Sequence, residues 1–324
     1  MSHPVSSPAP SRTVAGDGAG APREQIRVRR SRRVTPLRRR RIITAYLFLS
    51  PALLVFGTFL LYPVFEGVRV SFYDYNPFGE EFVGLANYEG LLDDDRFWGA
   101  LRHTALYAFV TTVVTLALAL GLALLLNSRI AFRSFTRAVV FVPFVLSMAI
   151  VSITFSFLLD PDIGWLSYRL DQVGLPSIAY LRDADWAMVA VIVVGIWKSV
   201  GYYMVIILAG LQQIPRDLYE AAAVDGARRW QRFRYITLPL LSNTTMIVSV
   251  LALIAGLQVF DQIYVMTGGG PYFSTESLVG LIFTRGFGEL RMGYASAIAV
   301  VFTVIIVGLS LMQIRFFSRR AIQY

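Results

Sequence analysis

The sequence predicts an all-α membrane protein with six transmembrane helices. Three observations carry that reading. Hydrophobic residues make up 56% of the 324 and charged residues only 16%, whereas a soluble domain carries about a quarter charged. The mean hydropathy of +0.58 comes from apolar residues gathered into blocks, each near the roughly 20 residues that a helix needs to cross a hydrocarbon core. The basic residues, finally, alternate from one intervening loop to the next, as they do in polytopic proteins.

The first 44 residues are rich in Ser, Pro, Ala, Gly and Arg. They lack apolar periodicity and read as a disordered basic tail, with a membrane domain over residues 45–320. The first span is placed at Ala45–Phe65. That run exceeds the 7–15 apolar residues of a signal peptide, and no small-residue cleavage site follows it. The remaining spans are placed at Thr104–Asn127, Ala138–Leu159, Ala187–Leu211, Asn243–Val265 and Tyr294–Ile314. Such long continuous runs exclude barrel strands, which are about ten residues long and alternate in polarity.

The net charge of +9 is local: residues 1–44 hold eleven arginines against Asp17 and Glu24, which is the whole excess. It reads as a topology signal with loose attraction to anionic lipid, not as a nucleic-acid arm. The tail, residues 128–137, residues 212–242 and the C-terminal tail together hold 22 basic residues. The opposite loops, 66–103, 160–186 and 266–291, hold seven basic residues and 15 acidic ones. This alternation places both termini in the cytosol.

Catalytic and metal chemistry find little footing. Cysteine is absent, and the only histidines, His3 and His103, are far apart, so no metal site is expected. The single lysine, Lys198, follows Trp197 and does not belong to a phosphate-cradling G-x-x-x-x-G-K-[ST] loop. Neither a G-x-S-x-G elbow nor an H-E-x-x-H pair occurs, so no catalytic residue is assigned. The run Asp93, Asp94 and Asp95 reads as solvated loop surface. Lys198 and Asp261 are the only formally charged residues inside the predicted spans, and such residues usually face a cavity. With Gln258, Tyr202 and Tyr203 they form a candidate path for a polar solute, although each can also serve interhelical packing. Pro143 and Gly201 are places where helices along that path can loosen.

The longest basic loop begins Ile214-Pro215-Arg216-Asp217-Leu218-Tyr219-Glu220-Ala221-Ala222-Ala223-Val224-Asp225-Gly226-Ala227 and ends Ile236-Thr237-Leu238-Pro239. Pro215 suits the first turn of a helix, and Asp217 and Glu220 suit its positive end. The alanines leave a smooth face that another protein can approach, and Gly226 stops the helix. On residue chemistry alone, a docking elbow and a connector without a partner are equally served.

The spacing of Glu220, Ala221, Ala222, Gly226, Ile236, Leu238 and Pro239 resembles the signature loop of binding-protein-dependent ABC importer permeases at every defined position. Asp225, Ala227 and Phe233 resemble the carbohydrate-uptake branch, of maltose and glycerol-phosphate type. Ser71–Tyr75, Phe82–Tyr88, Phe260–Pro271 and Met292–Ala297 are similar to segments of sugar permeases, so the resemblance spans residues 42–320. It implies the type I importer permease fold, with Glu220, Ala221, Ala222, Asp225, Gly226, Ala227, Ile236, Leu238 and Pro239 coupling to an ATPase. It further implies a second permease subunit, two ATPase subunits that bind ATP and Mg, and an extracytoplasmic solute-binding protein. The location would be a bacterial inner membrane, and the cargo an oligosaccharide, glycerol-3-phosphate or its diesters. The competing reading, an ion-coupled secondary transporter, predicts ionisable residues in several spans and a repeat relating two halves. Two charged positions and no clear repeat are seen.

Overall fold

The computed structural model describes residues 36–128, 132–174 and 178–318. The predicted basic tail lies outside the described residues as far as residue 35, as do Arg129, Arg319 and Arg320 of the basic loops. The chain divides into two compact units, Met1–Gly57 and Thr58–Tyr324. In the first, helix α1 covers Pro36–Phe56, so it begins inside the segment assigned to the tail. Proline suits a first helical turn, where its missing amide hydrogen has no partner to lose.

A π-helical turn, Gly57–Leu61, precedes α2, Tyr62–Val70. Strands β1, Tyr73–Asn76, and β2, Gly79–Phe82, then form an antiparallel hairpin with Tyr73 opposite Phe82. No strand was expected. These strands are four residues long and mostly exposed, so they leave no apolar signal. After α3, Ala86–Leu92, helix α4 runs Asp95–Asn127, starting well before the predicted Thr104. The Asp94 carboxylate explains the early start: it accepts from the backbone amides of Arg96 at 2.9 Å and Phe97 at 3.3 Å and caps the helix.

The span predicted at Ala138–Leu159 is not one straight helix. Helix α5, Arg133–Val145, and helix α6, Met148–Leu158, meet at a bend of 94°. The break falls at Leu146 and Ser147, whose backbones are extended at ψ 145° and 135°, whereas Pro143 lies inside α5 itself. Helix α7, Trp165–Gln172, leads to α8, Ala184–Gln212, which Asp183 caps through the amides of Asp185 and Trp186. Four short elements follow: α9, Arg216–Val224; α10, Arg229–Arg232; a π-helical turn, Phe233–Thr237; and α11, Leu238–Leu240. The fifth predicted span is α12, Ser242–Leu257, and α13, Asp261–Met266. Helix α14, Leu278–Phe283, a π-helical turn, Thr284–Gly288, and α15, Met292–Ser318, complete the chain. Among the described residues, five runs are long and apolar enough to cross a membrane, and the bent α5–α6 pair makes six if it counts as one span.

Helices α4 and α8 form the centre, with α12 packed on α4 and α5 on α8. Small residues permit the close approach. Ala119 and Ala123 are fully buried, and a Cβ added at Gly201 would lie 2.0 Å from the Val140 carbonyl oxygen. Gly201 therefore serves contact between α5 and α8, not loosening. One apolar cluster, around Leu126, Leu211, Ile214 and Leu241, sits at the α9 end of the bundle. A second, around Leu91, Phe97, Leu278 and Ile298, sits at the opposite end.

Candidate functional site

At one end of the bundle, α9 stands out from the core as an elbow. Glu220, Ala221, Asp225 and Gly226 are exposed, whereas Ala222, Ala227, Ile236 and Pro239 are half-buried. Leu218 and Leu238 are about two-fifths exposed, and Val224 reaches 88%. The helix ends on a left-handed glycine, Gly226 at φ +75°. The Ala227 amide donates to the Ala222 carbonyl at 2.9 Å, and the Gly226 amide to that of Ala223 at 3.1 Å. Those two bonds form a Schellman cap, which closes the helix and leaves its outer face clear. The elbow is anchored by Tyr219, whose hydroxyl lies 3.0 Å from the Thr237 hydroxyl and whose ring packs on the apolar cluster beneath. Tyr219 and Thr237 were not among the expected site residues, yet both lie inside the quoted loop.

The expected path residues are only partly brought together. Lys198 and Tyr203 line a cavity of about 150 Å³ between α4, α8, α12 and the α5–α6 break. Tyr202 stacks on Phe144 with ring centroids 4.3 Å apart, so it supports the wall behind Lys198. Gln258 and Asp261 are exposed and do not line the cavity. The chain leaves α12 at Leu257 and turns before α13, and the wall position falls to Gln262 instead. Its amide nitrogen donates to the Tyr107 hydroxyl and to the Val191 carbonyl. Gly195 makes room for this bond, since a Cβ there would lie 2.2 Å from the Tyr107 oxygen.

At the far end, Asp94 contradicts its reading as solvated surface. Its side chain is 14% exposed and pairs with Arg285 at 2.9 Å, while the Tyr294 hydroxyl donates to it at 2.8 Å. Burial acts to raise this carboxyl, but the Tyr294 hydroxyl, the Arg285 charge and the amides of Arg96 and Phe97 outweigh it. The group is held below its ordinary value of 3.8. Arg285 also pairs with Glu289 at 2.8 Å, and Arg96 donates two bonds to Glu276 at 2.7 and 2.6 Å. One charged lattice thus ties α4 to the segment entering α14 and to the start of α15. The hairpin joins the same end: Asn87 donates to the carbonyls of Ser71 and Tyr73, both at 2.9 Å.

Known proteins share this architecture. Residues 114–323 match the family of the binding-protein-dependent transport system inner membrane component. The chain is 40% identical over 282 residues to YurN, a probable ABC transporter permease protein of Bacillus subtilis, covering 85% of this chain and 96% of that one. It is 34% identical to the sn-glycerol-3-phosphate transport system permease UgpA of Agrobacterium fabrum, covering 86% and 96%. It is also 34% identical to the trehalose/maltose transport system permease MalF of Thermococcus litoralis, covering 83% and 92%. A chain of the crystal structure of a bacterial alginate ABC transporter, in complex with its alginate pentasaccharide-bound periplasmic protein, superposes with a TM-score of 0.78. Identity there is 26%, covering 86% of this chain and 96% of that one. This protein therefore belongs to the binding-protein-dependent transport family: it is a permease subunit of an ABC transporter, a transport component of the inner membrane.

Proposed function

We propose that this chain is one of two permease subunits in an ATP-driven importer of a sugar or related polar solute, with both termini in the cytosol. Two ATPase subunits would carry ATP and Mg, and an extracytoplasmic binding protein would deliver the solute. The carrying observation is the α9 elbow: an exposed helix face, closed by the Gly226 cap and pinned to the bundle through Tyr219. Glu220, Ala221, Ala222, Asp225, Gly226 and Ala227 would meet the ATPase cleft, while Ile236, Leu238 and Pro239 transmit its movement to α12. Docking of this kind drives transport only if it differs between the inward- and outward-facing states. Lys198 and Tyr203, backed by Tyr202, would line the solute path; Gln262 takes the place foreseen for Gln258 and Asp261. The named solutes of UgpA and MalF and the alginate cargo support a hydroxyl-rich substrate.

The test is uptake by the assembled complex in proteoliposomes, with and without the ATPase subunits, for the wild type, Glu220→Lys and Gly226→Asp. Uptake is expected only with ATP and the ATPase subunits, and both substitutions should abolish it while assembly persists. Transport that survives both changes overturns the coupling role. Transport without ATPase subunits returns the chain to an ion-coupled carrier.

A further inference from the structure

The cavity beside Lys198 has an unbalanced charge. Lys198 sits midway along α8 and is the only lysine of the chain. Its ammonium donates to the Phe144 carbonyl at 3.1 Å and lies 5.3 Å from the centre of the Phe144 ring. A carbonyl uses one of three ammonium donors and brings no formal negative charge. Among the described residues, the cavity lining contains no aspartate or glutamate. Asp261, the other charged residue of the predicted spans, lies outside the cavity and exposed.

The hydroxyls of the same cavity are unsatisfied in the same sense. Thr112 and Thr115 line it, and the buried hydroxyl oxygen of each lacks a hydrogen-bond partner. Thr115 as a whole is 1% exposed. Thr111, by contrast, is already spent on the Tyr107 carbonyl at 2.6 Å. Two unpartnered hydroxyls and the spare donors of one ammonium group thus line the same cavity. A buried donor without a partner is costly, and a charge inside a membrane span calls for a counter-charge. A ligand that brings anionic oxygens answers both.

We propose that the Lys198 cavity receives an anionic group of the transported solute, a phosphate, carboxylate or sulfonate, with Thr112 and Thr115 completing its hydrogen bonds. The proposal rests on the permease reading and narrows its substrate class from polar to acidic solutes. It makes Lys198 a substrate-charge selector, a role that merely clamping the end of α5 would not confer.

Because the chain lacks cysteine, Ala255→Cys gives it a single thiol in the cavity wall. In the assembled importer, modification of this thiol is followed by mass spectrometry. Two methanethiosulfonates serve as probes, one carrying a sulfonate and one a trimethylammonium group, with rates normalised to a free thiol. The anionic reagent is expected to be favoured, and Lys198→Gln should lower the preference about tenfold, the size of a unit charge acting several ångströms away on opposite reagent charges. Lys198→Arg should keep it. At constant ionic strength, at least one of inorganic phosphate, methanesulfonate and acetate should slow the modification, and glycerol should not. Equal reactivity of the two reagents beside an intact Lys198 overturns the proposal, as does the absence of protection by all three anions. Neither result touches the permease reading, which fails only if uptake proceeds without the ATPase subunits.

Discussion

At Gly226 a single backbone angle can be separated from the proposed docking role. It lies at φ +75°, and a Cβ built on it would meet nothing within 4 Å. Within the chain, Gly226→Ala is therefore resisted by the left-handed backbone alone, at about 1 kcal/mol. A small fall in the melting temperature of the assembled complex is expected, with solute-stimulated ATP hydrolysis reduced far more than that fall explains. Glu276 tells the opposite story, since its side chain is 6% exposed and holds Arg96 by two bonds. Glu276→Gln should destabilise the complex by about 2 kcal/mol, measured as a melting shift, because it weakens a charge-assisted pair. Asp94 adds a pH dependence. Its folded pKa is lowered, so its contribution is complete above the ordinary value of 3.8 and is lost as pH falls through the lowered one. The melting gap between wild type and Asp94→Asn should stay constant from about pH 8 to 5 and close only below about pH 4. Lys198 was legible in the sequence because one charge within an apolar run is conspicuous. Asp94 was not. Its partners Arg285 and Tyr294 stand 191 and 200 positions away, so only the folded bundle reveals the lattice.

Elements were legible where apolar runs are long. The helices α4, α8 and α15 contain their predicted spans, and their true ends were missed because capping residues extend them beyond the apolar stretch. Asp94 and Asp183 do this by binding backbone amides. Pro143 marks this span as one that can loosen, but hydropathy runs unbroken from Ala138 to Leu159, so the 94° bend just beyond it at Leu146 and Ser147 leaves no mark there. Gly201 fixes that bent pair against α8. Gly201→Leu would force side-chain atoms into the Val140 carbonyl, and a loss of about 3 kcal/mol or failed assembly is expected, checked by thermal melting and gel filtration. At the elbow, Tyr219→Phe removes only the hydroxyl that meets Thr237. A loss of about 1 kcal/mol is expected, with coupling weakened but not abolished in the uptake assay. The elbow's residues were legible through their spacing, and its anchoring was not, since Tyr219 looks like any amphipathic aromatic until Thr237 is folded beneath it.

At the scale of the molecule, one end of the bundle carries α9 and the other carries the hairpin and the Asp94–Arg285 lattice. In the proposed orientation, which the charge alternation along the sequence supports, the α9 end would face the cytosol, the side of the ATPase subunits. The cavity lies between these ends, so in the proposed coupling a force applied at α9 would travel along α8 and α12 toward Lys198 and Gln262. The most direct test of this account uses the absence of native thiols. Ala221→Cys on the exposed face of α9 and Phe78→Cys at the 98% exposed hairpin tip are each labelled with a benzophenone maleimide and irradiated in the assembled importer. A crosslink is expected from position 221 to the ATPase subunit and none from position 78. No ATPase adduct at position 221, or full ATP-dependent uptake by the crosslinked complex, would contradict it.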